Sequence, residues 1–182
     1  MVPVPGLLYL PDFLTPTEEA DLVARIAAFD RWETVAFHGR QAKRRSVSFG
    51  SEYVATSRRL VAAPPIPDFL VPIRDRAASH AASDASLFTE VIAWRYAPSA
   101  GIGWHTDADV YGAVVLSVSL GAKCRFDLKR EGYALHRLVL EPRSLVVIGG
   151  EARIAWKHRI PPVRQGRYSI TFRSIAPGRG RP

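Results

Sequence analysis

Leu116-Ser117-Val118-Ser119-Leu120 alternates apolar and small polar side chains with a period of two. Successive side chains of a strand point to opposite faces, so Leu116, Val118 and Leu120 share one face and Ser117 and Ser119 the other. The segment predicts a strand over Ala113–Leu120. Outward from it, further strands are predicted at Thr89–Tyr96, Cys124–Leu128, Ala134–Leu140, Ser144–Ile148, Ile154–Lys157 and Tyr168–Ser174. Two earlier ones fall around Trp32–Phe37 and Arg45–Phe49, and Glu131-Gly132 reads as a hairpin turn. Thr15-Pro16-Thr17-Glu18 is a capping box with proline at the first helical position. Ala20, Leu22, Val23, Ile26 and Ala27 follow at helical spacing, which predicts a helix to about Phe29. After Pro64, Pro65 and Pro67 a second helix is predicted, with Phe69, Leu70, Ile73 and Ala77 on its apolar face. Helices followed by many short strands predict a mainly β fold with flanking helices, a sandwich or jelly roll.

A chain of 182 residues is long enough for one domain with a full core. With 47% apolar residues it is not a disordered tail. No apolar run approaches the roughly 20 residues of a membrane helix, so no membrane partner is expected. Met1–Pro11 lacks a basic n-region and a clean cleavage site, so no secretory signal is expected either. Cys124 is the single cysteine and is read as a small buried strand residue; its solitude fits a reducing cytoplasm. A cytoplasmic monomer is therefore expected. The formal net charge is +8. Arg40, Lys43, Arg44 and Arg45 form one basic group, Lys129, Arg130 and Arg137 a second, and Arg179 and Arg181 lie in the tail. Such charge attracts polyanions, nucleic acids among them. Charge alone leaves open a basic protein with no such partner.

The chemistry lies in the last third. His105-Thr106-Asp107 is a His-x-Asp pair, and His158 follows 51 residues after Asp107. On an extended segment His105 and Asp107 point the same way, and a jelly roll can bring His158 beside them. Two histidines and one carboxylate can form one face of an octahedral Fe(II) site with open positions for an oxo-acid cosubstrate and O₂. Either element alone is common by chance, and a lone His158 is more often structural. Arg167 and Arg173, six apart on one predicted strand, strengthen the set. They share a face and can hold carboxylates, while Tyr168, Ile170 and Phe172 face the opposite side. Solvated surface arginines are the competing reading. His38, His80 and His136 have no carboxylate at useful spacing and are read as surface or supporting residues.

Trp94-Arg95-Tyr96-Ala97-Pro98-Ser99-Ala100-Gly101-Ile102-Gly103-Trp104-His105-Thr106-Asp107 resembles the core motif of the AlkB family of Fe(II)/2-oxoglutarate dioxygenases, and Arg167–Arg173 resembles that family's arginine strand. Ser117–Gly121, Pro142–Val147 and Trp156–His158 fit the family too, and are most similar to the AlkB-like domain of tRNA wobble-uridine hydroxylases. The resemblance runs from Gly6 to Ile175 and is most specific in the second half. It implies a double-stranded β-helix (jelly-roll) core over 87–175. It also implies N-terminal helices and a nucleotide-lid region over 6–86, a basic tail over 176–182, and one dioxygenase domain in all. It implies Fe(II) on His105, Asp107 and His158, with 2-oxoglutarate as cosubstrate on Tyr96, Arg167 and Arg173. Arg167 takes the far carboxylate and Arg173 the metal-bound end. Asp109 matches a position that faces the exocyclic amine of a flipped base, and Gly39–Tyr53 matches the nucleotide lid, which makes Arg44 and Arg45 candidate substrate contacts. The chain departs from the pattern at Trp94 and Ser169, where the family has asparagines. Trp32, Phe37, Phe49 and Tyr53 can stack on a base or serve as core.

The implied activity is oxidative demethylation of alkylated bases in DNA or RNA. Competing readings are wobble-uridine hydroxylation, oxidation of a protein or small molecule, and a metal-binding module without turnover.

Overall fold

The computed structural model describes residues 3–37, 40–54, 56–57 and 59–178, without the side chains of 35–41. His38, Gly39, Arg179 and Arg181 lie outside the described residues, as do the side chains of Phe37 and Arg40. The strands are β1 (Leu7–Leu10), β2 (Glu33–Phe37), β3 (Arg40–Phe49), β4 (Ser51–Val54), β5 (Arg59–Ala62), β6 (Glu90–Tyr96) and β7 (Ile102–His105). They continue as β8 (Tyr111–Gly121), β9 (Cys124–Lys129), β10 (His136–Leu140), β11 (Leu145–Ile148), β12 (Lys157–Ile160) and β13 (Arg167–Ile175). The helices are α1 (Pro16–Ala27), α2 (Val71–His80) and the short α3 (Gly150–Ile154). A seven-stranded sheet runs β1-β11-β8-β13-β6-β3-β2, and a four-stranded sheet runs β10-β9-β12-β7. β4 and β5 form a separate hairpin. The two larger sheets make the mainly β, jelly-roll architecture, with helices outside.

The capping box forms. Thr15 Oγ1 accepts from the Glu18 amide at 3.2 Å, and Glu18 Oε2 accepts from the Thr15 amide at 2.7 Å. Two otherwise unpaired groups are thereby satisfied, a cap worth about 1 kcal/mol. Leu22 and Ile26 are the buried residues of α1. They join Ile73 and Ala77 of α2 in a core that covers one face of the seven-stranded sheet, through Val91, Leu116, Val118, Leu120, Ile170 and Phe172. The other face of that sheet looks toward the four-stranded sheet. Phe126, Leu128, Val146, Ile148, Trp156 and Ile160 pack in that gap. The period-two pattern of Leu116–Leu120 thus divides helix packing from the inter-sheet space. Tyr168, Ile170 and Phe172 do turn to the helix side, as the spacing predicts.

Two expectations need correction, and one open alternative is decided. Ile154–Lys157 is not a strand: Gly149 caps the helical turn α3, Ile154 is 77% exposed, and the strand begins at Lys157. His105 and Asp107 are not on one strand, because β7 ends at His105 and Asp107 lies in the loop beyond. Trp32 and Phe49 are core and not a stacking platform. Trp32 packs on Phe29 and Tyr168, and Phe49 is buried against Phe29.

Candidate metal centre and cosubstrate pocket

Two strands of the four-stranded sheet supply the histidines. His158 on β12 pairs directly with His105 on β7, and their ring centroids lie 4.3 Å apart. The loop after β7 brings in Asp107, whose Oδ2 is 3.7 Å from His158 Nε2. The ligand atoms of the three residues all lie within 4.8 Å of one another. His105 Nδ1 sits 2.9 Å from the Gly103 carbonyl; donation there leaves Nε2 as the free ligand nitrogen. Burial holds His105 below its usual pKa and pulls His158 down to about 4, with the neighbouring His105 adding to the effect. Both imidazoles are therefore neutral at pH 7, the form that binds metal. Burial pushes the Asp107 carboxyl up, but Arg173, His158, Arg153 and His105 outweigh it and hold Asp107 below its ordinary value.

Asp107 is gripped from two sides. Arg173 on β13 donates to its Oδ1 at 2.9 Å. Arg153 of α3, itself buried, donates to the Asp107 carbonyl at 3.1 Å and the Ala108 carbonyl at 2.9 Å. Behind Arg173 lies Glu90, its direct cross-strand neighbour, 3.7 Å away and fully buried. Tyr111 donates to Glu90 at 3.0 Å and lies beneath the Arg173 guanidinium, 4.3 Å from ring centroid to Cζ. Burial raises Glu90 to about 7 in spite of Arg173 and Tyr111. Glu90, Tyr111 and Arg153 escaped the sequence reading. An acidic residue at the head of the apolar run Val91–Ala93 was the available signal for Glu90.

The inter-sheet cavity encloses about 70 Å³, room for several waters at the ~10–15 Å³ each needs. It is lined by His105, Asp107 and His158 together with Trp94, Tyr96, Ser117, Ser169, Thr171 and Arg173. Arg167 lies beside it, 1% exposed, with its Cζ 5.2 Å from the centroid of the Tyr96 ring. Its Nη2 donates to Ser119 Oγ at 3.0 Å, while Nε and Nη1 have no partner. A buried guanidinium left two donors short is costly, and a carboxylate would satisfy both. An N, N, O donor set beside such a cation fits Fe(II) and a dicarboxylate.

The structure places the remaining expected residues less favourably. Arg44 turns away from the lid face. It donates to the Gly101 carbonyl at 3.1 Å and lies over Trp94, 5.2 Å from its centroid, because strand parity sends it inward and its neighbour Arg45 outward. Burial lowers its pKa, partly countered by Tyr96. Asp109 is exposed in the turn after the metal loop and does not line the cavity. Ser169, in place of an asparagine, contacts Ser117 Oγ at 2.9 Å. His80 packs edge-on against Phe13.

This fold and this donor set define a class: the chain belongs to the 2OG-Fe(II) oxygenase superfamily, whose family model matches residues 6–173. It is an Fe(II)- and 2-oxoglutarate-dependent oxygenase, and the curated proteins it is similar to include AlkB dioxygenases. It is 30% identical over 182 aligned residues to the alkylated DNA repair protein ALKBH8 homolog of Arabidopsis thaliana, covering 87% of this chain and 51% of that protein. It is 41% identical over 92 residues to the alpha-ketoglutarate-dependent dioxygenase AlkB of Escherichia coli, covering 43% of this chain and 42% of that one. The chain thus spans about half the length of the Arabidopsis relative. The solved structure of OsALKBH1 shares the fold, with a TM-score of 0.78 over 96% of this chain and 99% of that chain at 19% identity. No helix among the described residues is long and apolar enough to cross a membrane.

Proposed function

We propose that this dioxygenase removes methyl groups from alkylated bases in DNA or RNA. The observation that carries its chemistry is the His105–Asp107–His158 cluster beside the two unpaired donors of Arg167. The alkylated-base substrate is supported by the repair activity that the Arabidopsis relative's name records. In this reading His105, Asp107 and His158 hold the iron. Arg167 pairs with the far carboxylate of 2-oxoglutarate, Tyr96 hydrogen-bonds the same molecule, and Arg173 serves its metal-proximal end. When bound, Fe(II) would activate O₂ with 2-oxoglutarate as co-reductant, so that one oxygen atom enters an N-methyl C–H bond and the other leaves in succinate, with release of CO₂. The hydroxymethyl group then leaves the base as formaldehyde. Arg173 and Arg153 keep Asp107 ionised and aimed at the metal position. A base must leave its stack to enter, at a few kcal/mol. The exposed Asp109 accepts a hydrogen bond from an exocyclic amine, which favours adenine and cytosine lesions, and the exposed Arg45 contacts phosphate.

Wobble-uridine hydroxylation is the second reading, favoured by the similarity over Pro142–His158. The test is formaldehyde release from 1-methyladenine and 3-methylcytosine oligonucleotides, set against turnover of a modified-uridine tRNA, with an Asp109→Ala control. Formaldehyde lost in the variant is the expected result. Activity on uridine alone overturns demethylation, and activity on no nucleic acid moves the substrate to a protein or small molecule.

A further inference from the structure

The strands that carry the two histidines present a different chemistry on their other side. His105 and His158 face the cavity, while their chain neighbours Trp104 and Lys157 face outward. On the same outer face β9 presents Arg125, Asp127 and Lys129, β10 presents Arg137, and β12 adds Arg159. Five cations and one carboxylate leave this small sheet face with four net positive charges, half the formal charge of the chain.

The single carboxylate is spoken for. Asp127 is fully buried under Arg125 and Arg159, whose Nε atoms lie 3.0 and 2.8 Å from its oxygens. Among the described residues, no ion pair involves Lys129, Lys157 or Arg137. Lys129 and Lys157 are nevertheless direct cross-strand partners, and both are exposed. Like charges placed opposite each other weaken a sheet. Lys129 Nζ and Arg159 Cζ each lie 4.5 Å from the centroid of Trp104, so the ring gathers cations and does not neutralise them. Trp104, Lys129, Arg130, Tyr133 and Lys157 line one groove, with aromatic rings interleaved among cations; Glu131 is its one carboxylate, and Arg130 is paired with Glu151.

We propose that the outer face of the β10-β9-β12-β7 sheet docks the phosphate backbone of a nucleic-acid strand. This rests on the nucleic-acid reading above and adds a binding surface apart from the catalytic cavity. Phosphates relieve the Lys129–Lys157 repulsion, for which no carboxylate among the described residues forms an ion pair. Cations with nearby rings are what a single strand needs: charge for its backbone and π-faces for its bases.

The test is fluorescence anisotropy with a labelled, unmodified single-stranded oligonucleotide over a salt series. The variant is K129A/R137A/K157A, which leaves the Asp127 pairs intact. Loss of three phosphate contacts should weaken binding at least about tenfold and flatten the log–log salt slope by about 2, at roughly 0.7 per contact. Succinate formation without substrate should match wild type and the thermal midpoint should be no lower, since the variant also removes the Lys129–Lys157 repulsion; this separates a lost surface from a lost fold. Unchanged affinity and slope overturn the proposal. So does wild-type binding of polyglutamate as tight as that of the oligonucleotide, which would make the occupant an acidic protein. Strong oligonucleotide binding without demethylation sinks the base reading and leaves the surface standing. Demethylation with binding untouched by the variant sinks the surface alone.

Discussion

The two ends of β13 hold arginines in opposite circumstances. At one end Arg173 is charge-paired, with Asp107 at 2.9 Å, Glu90 at 3.7 Å and the Tyr111 ring beneath it, although its Nε has no hydrogen-bond partner. At the other Arg167 is more deeply buried, and its one hydrogen-bond partner among the described residues is Ser119 Oγ. Arg173 has counterions within the fold and stabilises the charge state of a metal ligand. Arg167 is a cation whose partner must come from outside the fold. Their identical side chains and six-residue spacing conceal this; the difference lies in which carboxylates the neighbouring strands deliver.

The largest effect is expected where the charge-paired end meets the metal. Asp107→Ala removes the one carboxylate of the donor set and the main partner of Arg173. Purified variant protein should carry no iron and turn over no 2-oxoglutarate. Metal content by elemental analysis and succinate formation check this, and normal turnover would show that the donor set is misassigned.

The next effect belongs to the end whose arginine has no carboxylate partner among the described residues. Removing one partner of a buried charge pair costs about 3–5 kcal/mol, so Arg167→Ala should raise the apparent KM for 2-oxoglutarate by about two orders of magnitude or more, with iron still bound. A KM within twofold of wild type, about 0.4 kcal/mol, would remove Arg167 from this role. The contrast sharpens further in denaturant. Without cosubstrate, Arg167→Met replaces an under-satisfied cation by an apolar chain of similar length and should stabilise the protein by about 1–3 kcal/mol. With 2-oxoglutarate and Mn(II) at about 100 times Kd, wild type should gain about 2.7 kcal/mol that the variant does not. A variant less stable than wild type in both conditions would make Arg167 a plain structural residue.

Much of this was legible in the sequence, because strand periodicity is local. The alternation at Leu116–Leu120, the Thr15–Glu18 cap and the shared face of Arg167 and Arg173 follow from backbone geometry alone. The His105, Asp107 and His158 set was legible from residue type and spacing, although Asp107 reaches the site from a loop. What stayed hidden depends on neighbours across strands. Glu90 acquires its role from its register with Arg173, and Arg44 is turned inward by its register with Tyr96. The α3–β12 boundary was missed because the apolar run Ile154–Trp156 reads the same in a helical turn as in a strand, and β7 because four residues containing Gly103 give too short a pattern.

The smallest effect tests what burying Glu90 behind Arg173 costs. Glu90 titrates near 7 in the folded protein against an ordinary value of 4.5, so the folded state holds an extra proton between those limits. Its favourable contribution is complete below pH 4.5 and is lost as pH rises through 7. His158 runs the other way: its folded value of about 4 against 6.5 adds stability as pH rises from 4 to 6.5 and nothing beyond. Each shift amounts to at most about 3 kcal/mol. In metal-free wild type the two slopes oppose each other up to pH 6.5. Above that only the Glu90 decline remains, so the thermal midpoint should fall between pH 6.5 and 8. Glu90→Gln keeps the shape and removes the titration, and its midpoint should stay flat over that range and climb from pH 4.5 to 6.5 as the His158 slope is uncovered. Parallel profiles for the two proteins would mean that Arg173 holds Glu90 ionised throughout, and that the ion pair at the metal end of β13 outweighs the cost of burying that carboxylate.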